Sequence, residues 1–76
     1  MLAILSPTNP TRVQMEQTNG LFQAGLQIFI LRLPGKSIEE YQRYLLNIDR
    51  IYHGRVFLPW AMRVIAELFP IGGLYL

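Results

Sequence analysis

The chain has 76 residues and no cysteine, so it holds one domain at most and contains no disulfide, cysteine-based metal site or thiol nucleophile. Its net charge is +2 and its seven basic residues are dispersed, which gives only a weak electrostatic footprint for nucleic acid. Hydrophobic residues make up 51% and charged residues only 16%, so we expect some apolar surface to meet a partner. The first residues lack the features of a signal peptide, and we expect a cytoplasmic protein.

The N-terminal third is predicted to be β structure. Residues 1–10 are expected to form an arm or an edge strand, because the segment 7–10 (PTNP) interrupts regular structure. Residues 12–33 are predicted to form a β-hairpin around the dipeptide Asn19-Gly20, which is typical of two-residue hairpin turns. In the second arm, apolar residues alternate with polar ones, as in a strand with one buried face.

The end of this second arm departs from the alternation. From Phe29 to Leu33 four of the five residues are apolar, so both faces of the strand are apolar there. Such a run is typical of a strand that is covered on both sides. We therefore expect the chain's own helices on one face of this strand and another chain or element on the other.

The middle of the chain predicts an amphipathic helix over residues 37–53. Ser37 has the position of an N-cap, and Glu40 has the spacing of its capping-box partner. Apolar residues recur at intervals of three and four, and Glu39 and Arg43 have the spacing of a favourable ion pair on the polar side. The fold class is therefore α+β, with a hairpin followed by helices.

The last third admits two interpretations at its start. Residues 55–58 are either a short strand that returns to the sheet or a loop that leads to a second helix over residues 59–69. Pro59 would be the first residue of that helix, and residues 70–76 remain as an apolar C-terminal tail. The whole chain, residues 1–76, is expected to be a single small domain.

The second predicted helix is apolar over most of its circumference, and this feature carries the prediction of function. We expect a non-enzymatic protein-protein binding or assembly module, either a homodimer or a small subunit of a larger complex. Trp and Met with little charge are typical of interface cores. The predicted partner interface consists of Trp60, Met62, Phe69, Ile71, Leu74, Tyr75, Phe29 and Leu31.

Membrane contact and enzymatic activity rank below this prediction. Arg63 and Glu67 near the middle of the apolar segment disfavour a spanning helix, which leaves association with a membrane surface as a third possibility. Asp49 and His53 are four residues apart on the predicted helix, the arrangement of a histidine oriented by a carboxylate. With no nucleophile or second histidine nearby, we assign no catalytic, cofactor-binding or metal-binding residue.

One family resemblance supplies the second candidate function. A strand ending in residues 30–34 (ILRLP), an amphipathic helix, a glycine turn and a second apolar helix resemble the ribbon-helix-helix repressors over residues 24–69. The resemblance implies a dimer whose paired strands enter the DNA major groove, with Gln27, Phe29 and Leu31 at the base-facing positions. Two of these three side chains offer no hydrogen bond to a base, so DNA binding ranks second.

Overall fold

A computed structural model describes residues 2–76 as a parallel sheet with helices on one face. In chain order its elements are β1 (Ala3–Leu5), α1 (Arg12–Gln23), β2 (Ile28–Ile30), α2 (Ile38–Leu46), a first 3₁₀ helix (Arg50–Arg55), β3 (Val56–Pro59), a second 3₁₀ helix (Trp60–Glu67) and β4 (Gly73–Tyr75). The four strands lie in the order β1-β2-β3-β4, and every neighbouring pair is parallel. The predicted class, a small mixed helix-and-strand fold, is confirmed. No helix between residues 2 and 76 has the length and apolarity needed to cross a bilayer.

The predicted hairpin over residues 12–33 is wrong, because its first arm and its turn are the helix α1. Thr11 caps this helix: its hydroxyl accepts from the Gln14 backbone N–H at 3.2 Å, and the Gln14 side chain accepts from the Thr11 N–H at 2.9 Å. The residues that α1 buries recur at helical spacing, at Met15, Thr18 and Phe22. Asn19-Gly20 lies inside the helix, since the cap and the buried face outweigh the turn preference of that dipeptide.

The predicted helix over residues 37–53 exists but is divided in two. Ser37 is its N-cap, as expected, and accepts from the Glu40 N–H at 3.4 Å. The Glu40 carboxylate does not complete the predicted capping box with Ser37. It lies 3.7 Å from the Arg43 guanidinium, so Arg43 pairs with Glu40 and not with Glu39 as predicted. The α-helix stops after Leu46, where the following residue, Asn47, turns its side chain back to the Arg43 carbonyl at 2.9 Å.

The C-terminal third is built around the sheet. Residues 56–59 form β3, so the strand alternative for this segment is confirmed. The predicted helix over residues 59–69 is a shorter 3₁₀ helix whose backbone is non-helical at Met62, and the expected tail contains β4. Ile65 is fully buried, which explains why this segment packs on the sheet and does not extend away from it as an apolar helix.

The two faces of the sheet differ in how they are covered. One face, which we call the outer face, carries Phe29, Val56 and Leu58, each at most 1% exposed beneath the helices. Aromatic rings fill the space between this face and the helices, with Phe29 meeting Phe22 and Tyr44. The opposite face, which we call the inner face, has no helix of residues 2–76 over it, and its residues are half-buried or exposed.

Candidate functional site

The carboxyl edge of the sheet is the place where this fold assembles side chains from different segments. Register pairs Ile30 with Phe57 and Pro59 with Tyr75, and side chains two residues apart in a strand share a face. Arg32 is two residues beyond Ile30, and Pro59 is two residues beyond Phe57. Arg32, Pro59 and Tyr75 therefore form one row across the sheet. In open and closed parallel α/β sheets, ligands bind at this edge.

A groove of about 450 Å³ lies along this row. Two of its lining side chains, Arg32 and Lys36, are cationic, and none carries a carboxylate. The other lining residues are Leu33, Pro34, Gly35, Tyr41, Pro59, Ala61, Met62, Tyr75 and Leu76. A positive, partly apolar groove of this kind has the chemistry to hold an anionic group attached to a less polar molecule.

The segment that carries the two cations is fixed by hydrogen bonds from both sides. Ser6, just after β1, accepts from the Arg32 N–H at 2.8 Å, and its hydroxyl donates to the Arg32 carbonyl at 3.1 Å. The Tyr41 hydroxyl does the same for Leu33, accepting from its N–H at 2.9 Å and donating to its carbonyl at 3.2 Å. The backbone under Arg32 is therefore held in place before any ligand arrives.

The turn after β2 sets the position of Lys36. Its N–H donates to the Leu33 carbonyl at 3.1 Å across Pro34 and Gly35. Gly35 has φ +73°, and proline followed by a residue with positive φ is the pattern of a type II turn. Any residue other than glycine would be strained there, so this turn keeps both cations beside the same groove.

Tyr75 closes the groove on the β4 side as a neutral phenol. Burial raises the pKa of its hydroxyl above 10.0, Tyr41 adds to that rise, and Arg32 opposes it. The hydroxyl donates to the Leu31 carbonyl at 3.2 Å. Because the phenol is already committed as a donor and has a raised pKa, it serves to hold the edge of the groove together and is not suited to act as a base.

The side chains predicted as a partner interface are dispersed. Phe29 and Leu31 belong to the buried core, at 1% and 0% exposure, so they offer no surface to a partner. Met62, Phe69, Ile71 and Leu74 are partly buried against that core, and Tyr75 lines the groove. Trp60 is 52% exposed, with the Arg63 guanidinium 5.1 Å from its ring centre. A role for the accessible members in binding a partner stays a prediction.

Asp49 and His53 do not form the pair that their spacing suggests. The His53 ring is buried, and its Nε2 lies 2.9 Å from the Leu45 carbonyl and 3.0 Å from the Ile48 carbonyl. Two acceptors require that Nε2 carry the hydrogen, so His53 caps the end of α2. Asp49 is exposed, and neither ion pair within residues 2–76 involves it. In the same part of the chain, no cluster of three or more potential ligand side chains is arranged to hold a metal ion.

The sequence contains one signal for the groove that the hairpin interpretation hides. Arg32 and Lys36 flank the Pro34-Gly35 break directly after a strand. In a parallel sheet that position is the carboxyl edge, where ligands bind, whereas after a hairpin it is an ordinary loop. If residues 12–33 formed a hairpin, Arg32 and Lys36 would be two ordinary charged residues on the protein surface.

One solved structure provides the comparison that bears on function. The chain is similar to the crystal structure of thiamine phosphate pyrophosphorylase from Bacteroides thetaiotaomicron, with a TM-score of 0.88 and 25% sequence identity. The similarity covers 99% of this chain and 38% of that protein. No protein-family profile matches the sequence, and neither does any curated protein.

This similarity overturns the function predicted from the sequence. Almost the whole chain has the fold of part of an enzyme. The predictions of a non-enzymatic interaction or assembly module and of no enzymatic role are therefore wrong. The ribbon-helix-helix alternative fails as well, because β2 pairs in parallel with β1 and β3 of its own chain. The membrane-surface alternative rested on a continuous apolar helix, which the fold replaces with β3, a 3₁₀ helix and β4. The chain has the fold of part of an enzyme, and it spans 38% of that enzyme's length.

Proposed function

We propose that this chain forms the phosphate-binding part of an enzyme similar to thiamine phosphate pyrophosphorylase. The observation that carries the proposal is the groove at the carboxyl edge, where Arg32 and Lys36 are the charged side chains and no acidic side chain opposes them. The similarity in fold supports it, since the neighbour's name includes a phosphorylated compound. Because the chain spans only 38% of that neighbour, we propose it as one contributor to such a site.

The two cations have complementary roles in this proposal. The Arg32 guanidinium presents a planar set of donors that matches two phosphate oxygens at once, and the hydrogen bonds from Ser6 keep its backbone from shifting. Lys36 adds a compact positive charge from the other side of the Pro34-Gly35 turn. The apolar wall of the groove, which includes Met62, is available to the rest of the substrate.

Titration of the chain with inorganic phosphate and with thiamine phosphate tests this proposal. We expect saturable binding that weakens with added salt, and a loss of affinity of tenfold or more in Arg32→Gln or Lys36→Gln. Hydrogen bonds to charged groups contribute about 1.5–3 kcal/mol each, which corresponds to such a loss. The matched control is Arg12→Gln, because Arg12 is 84% exposed on α1 and far in sequence from the groove. Equal affinities for Arg32→Gln and Arg12→Gln would refute the assignment.

A cytoplasmic location belongs to the same proposal. Its support is the absence of cysteine, which suits a protein that needs no disulfides. Cell fractionation with an antibody against the chain is the direct measurement, and recovery in the membrane or secreted fraction would contradict it.

A further inference from the structure

The inner face of the sheet is apolar and has nothing of residues 2–76 packed over it. Register places Leu5, Ile30 and Phe57 side by side on this face. Leu5 is 52% exposed, and the other two are half-buried. A parallel sheet is normally covered on both faces, so this face is half of a core.

The two edges of the sheet are open as well. β1 (Ala3–Leu5) and β4 (Gly73–Tyr75) each pair with one neighbour, so alternate backbone N–H and C=O groups of both strands point away from the sheet. Sheets that end in solvent usually protect such edges with lysine, proline or other charged residues. Neither β1 nor β4 contains a charged residue or a proline. Both edge strands therefore lack the residues that prevent pairing, and each is suited to pair with a further strand.

The order of the strands determines what kind of partner satisfies both edges. Four parallel strands in sequential order correspond to half of a (β/α)₈ barrel, in which each strand lies beside the next and the helices form the outer ring. A two-fold rotation about an axis that runs parallel to the strands, in front of the inner face, brings β4 of each copy beside β1 of the other, in parallel. The same rotation places the two inner faces against each other. It thus satisfies both edges and both faces at once, and two-fold symmetry is the commonest arrangement of oligomers.

We propose that a second copy of this chain closes over the inner face, forming an eight-stranded barrel through β1–β4 pairing. β1 and β4 are each three residues long, so neither edge leaves an unmatched overhang. Closure also completes the groove, because the row of Arg32, Pro59 and Tyr75 becomes part of a ring with the corresponding row of the other copy. The proposal rests on the sheet and not on the ligand, so it stands or falls separately from phosphate binding.

Sedimentation equilibrium of the full chain, without phosphate or any other ligand, measures the proposed state. We expect twice the chain mass of 8.8 kDa. Leu5→Lys places a charge on the inner face at a site that a single copy already leaves half exposed, so we expect a folded monomer with unchanged helical circular dichroism. The control is Leu46→Lys, the same change at a residue that is 74% exposed on the helical side, and we expect it to remain a dimer.

Other outcomes overturn the proposal. A monomeric parent chain or a mixture of large aggregates would show that no second copy closes the sheet. A dimer that survives Leu5→Lys and dissociates in Leu46→Lys would place the interface on the helices. Should Leu5→Lys fail to fold, Ala3→Lys decides the question, since Ala3 is exposed on the same face and edge; a folded Ala3→Lys dimer would contradict pairing at β1.

Discussion

The hydroxyls of Thr18 and Tyr44 lie 2.8 Å apart in the buried layer between α1 and α2. The Thr18 hydroxyl also donates to the Gln14 carbonyl one turn back, at 3.3 Å, so the hydrogen between the two hydroxyls belongs to Tyr44. This pair is a polar link within an otherwise aromatic and aliphatic contact. It connects two helices that are distant in the sequence.

The two members of this pair should respond unequally to substitution. Tyr44→Phe removes the donor but leaves Thr18 bonded to Gln14, so we expect a cost of about 0.5–1.5 kcal/mol in the free energy of unfolding. Thr18→Val leaves the buried Tyr44 hydroxyl without a partner and should cost about 1–3 kcal/mol. Urea denaturation of both variants makes the comparison. A larger cost for Tyr44→Phe than for Thr18→Val would show that the Thr18 hydroxyl donates to the Tyr44 hydroxyl.

Tyr44 also predicts how stability depends on alkaline pH. Burial raises the pKa of Tyr44 above 10.0, and the hydrogen bond with Thr18 opposes the rise only in part. The unfolded chain therefore releases this proton first, so the contribution of the neutral phenol is fully present below about pH 10 and is lost as pH rises through the folded-state pKa. Tyr75 shifts in the same direction. Thermal melts at about pH 8, 10 and 11 should show a smaller decline in Tyr44→Phe than in the parent; equal declines would contradict the prediction.

Two glycines should respond to alanine with opposite signs. Gly20 lies inside α1 with open space around it, so Gly20→Ala should stabilise the chain by about 0.5–1 kcal/mol through helix propensity. At Gly72 an added Cβ meets the backbone oxygen of Gly54 and lies 2.9 Å from the Phe57 ring, so Gly72→Ala should destabilise by about 1–3 kcal/mol. Chemical denaturation of both variants is the measurement. If both substitutions changed the free energy of unfolding in the same direction, the close contact of Gly72 with Gly54 would be contradicted.

Asn19 should matter more than a helical surface residue. Its side chain accepts from the Asp49 N–H at 2.7 Å and donates to the Asn47 carbonyl at 3.1 Å, so it holds the turn that ends α2. Asn19→Ala should cost about 1–2 kcal/mol, since each net hydrogen bond contributes about 0.5–1.5 kcal/mol. Hydrogen exchange at the Asp49 amide should accelerate in the same variant. The exposed Gln17 on the same helix supplies the control, and an equal effect of Gln17→Ala would argue against the bridging role.

Sequence patterns located the elements that depend on local signals. Ser37 identified the start of α2 because an N-cap acts on its own first turn, and the Pro34-Gly35 break marked the end of the strand segment. β3, at residues 56–59, matches one of the two interpretations of residues 55–58, because an apolar run this short shows no periodicity that distinguishes a strand from a loop. Two local signals conflict at α1: Thr11 and Gln14 have the spacing of a capping box, which predicts the start of a helix, whereas Asn19-Gly20 predicts a hairpin turn.

Apart from Arg32 and Lys36 beside the Pro34-Gly35 break, the candidate site could not be predicted from those patterns, for a physical reason. Arg32 and Tyr75 lie near each other only because β2, β3 and β4 are parallel neighbours, and parallel pairing is established by contacts distant in the sequence. Three-residue strands such as β1 and β4 carry too few residues to show alternation. The apolar C-terminal third therefore suggests a helical interface. In the structure, its apolar residues belong to β3 and β4 or pack against the sheet.

The hydrogen bond from the Tyr75 hydroxyl to the Leu31 carbonyl has a consequence for the order of folding. It joins residues 44 positions apart, across the intervening strand β3. Closing a loop of that length costs conformational entropy before the contact returns any energy, so contacts of this kind form late. Docking of β4 should therefore be the slow step after α1, β2 and α2 have collapsed together. Until it occurs, the carboxyl edge lacks the β4 side of its groove.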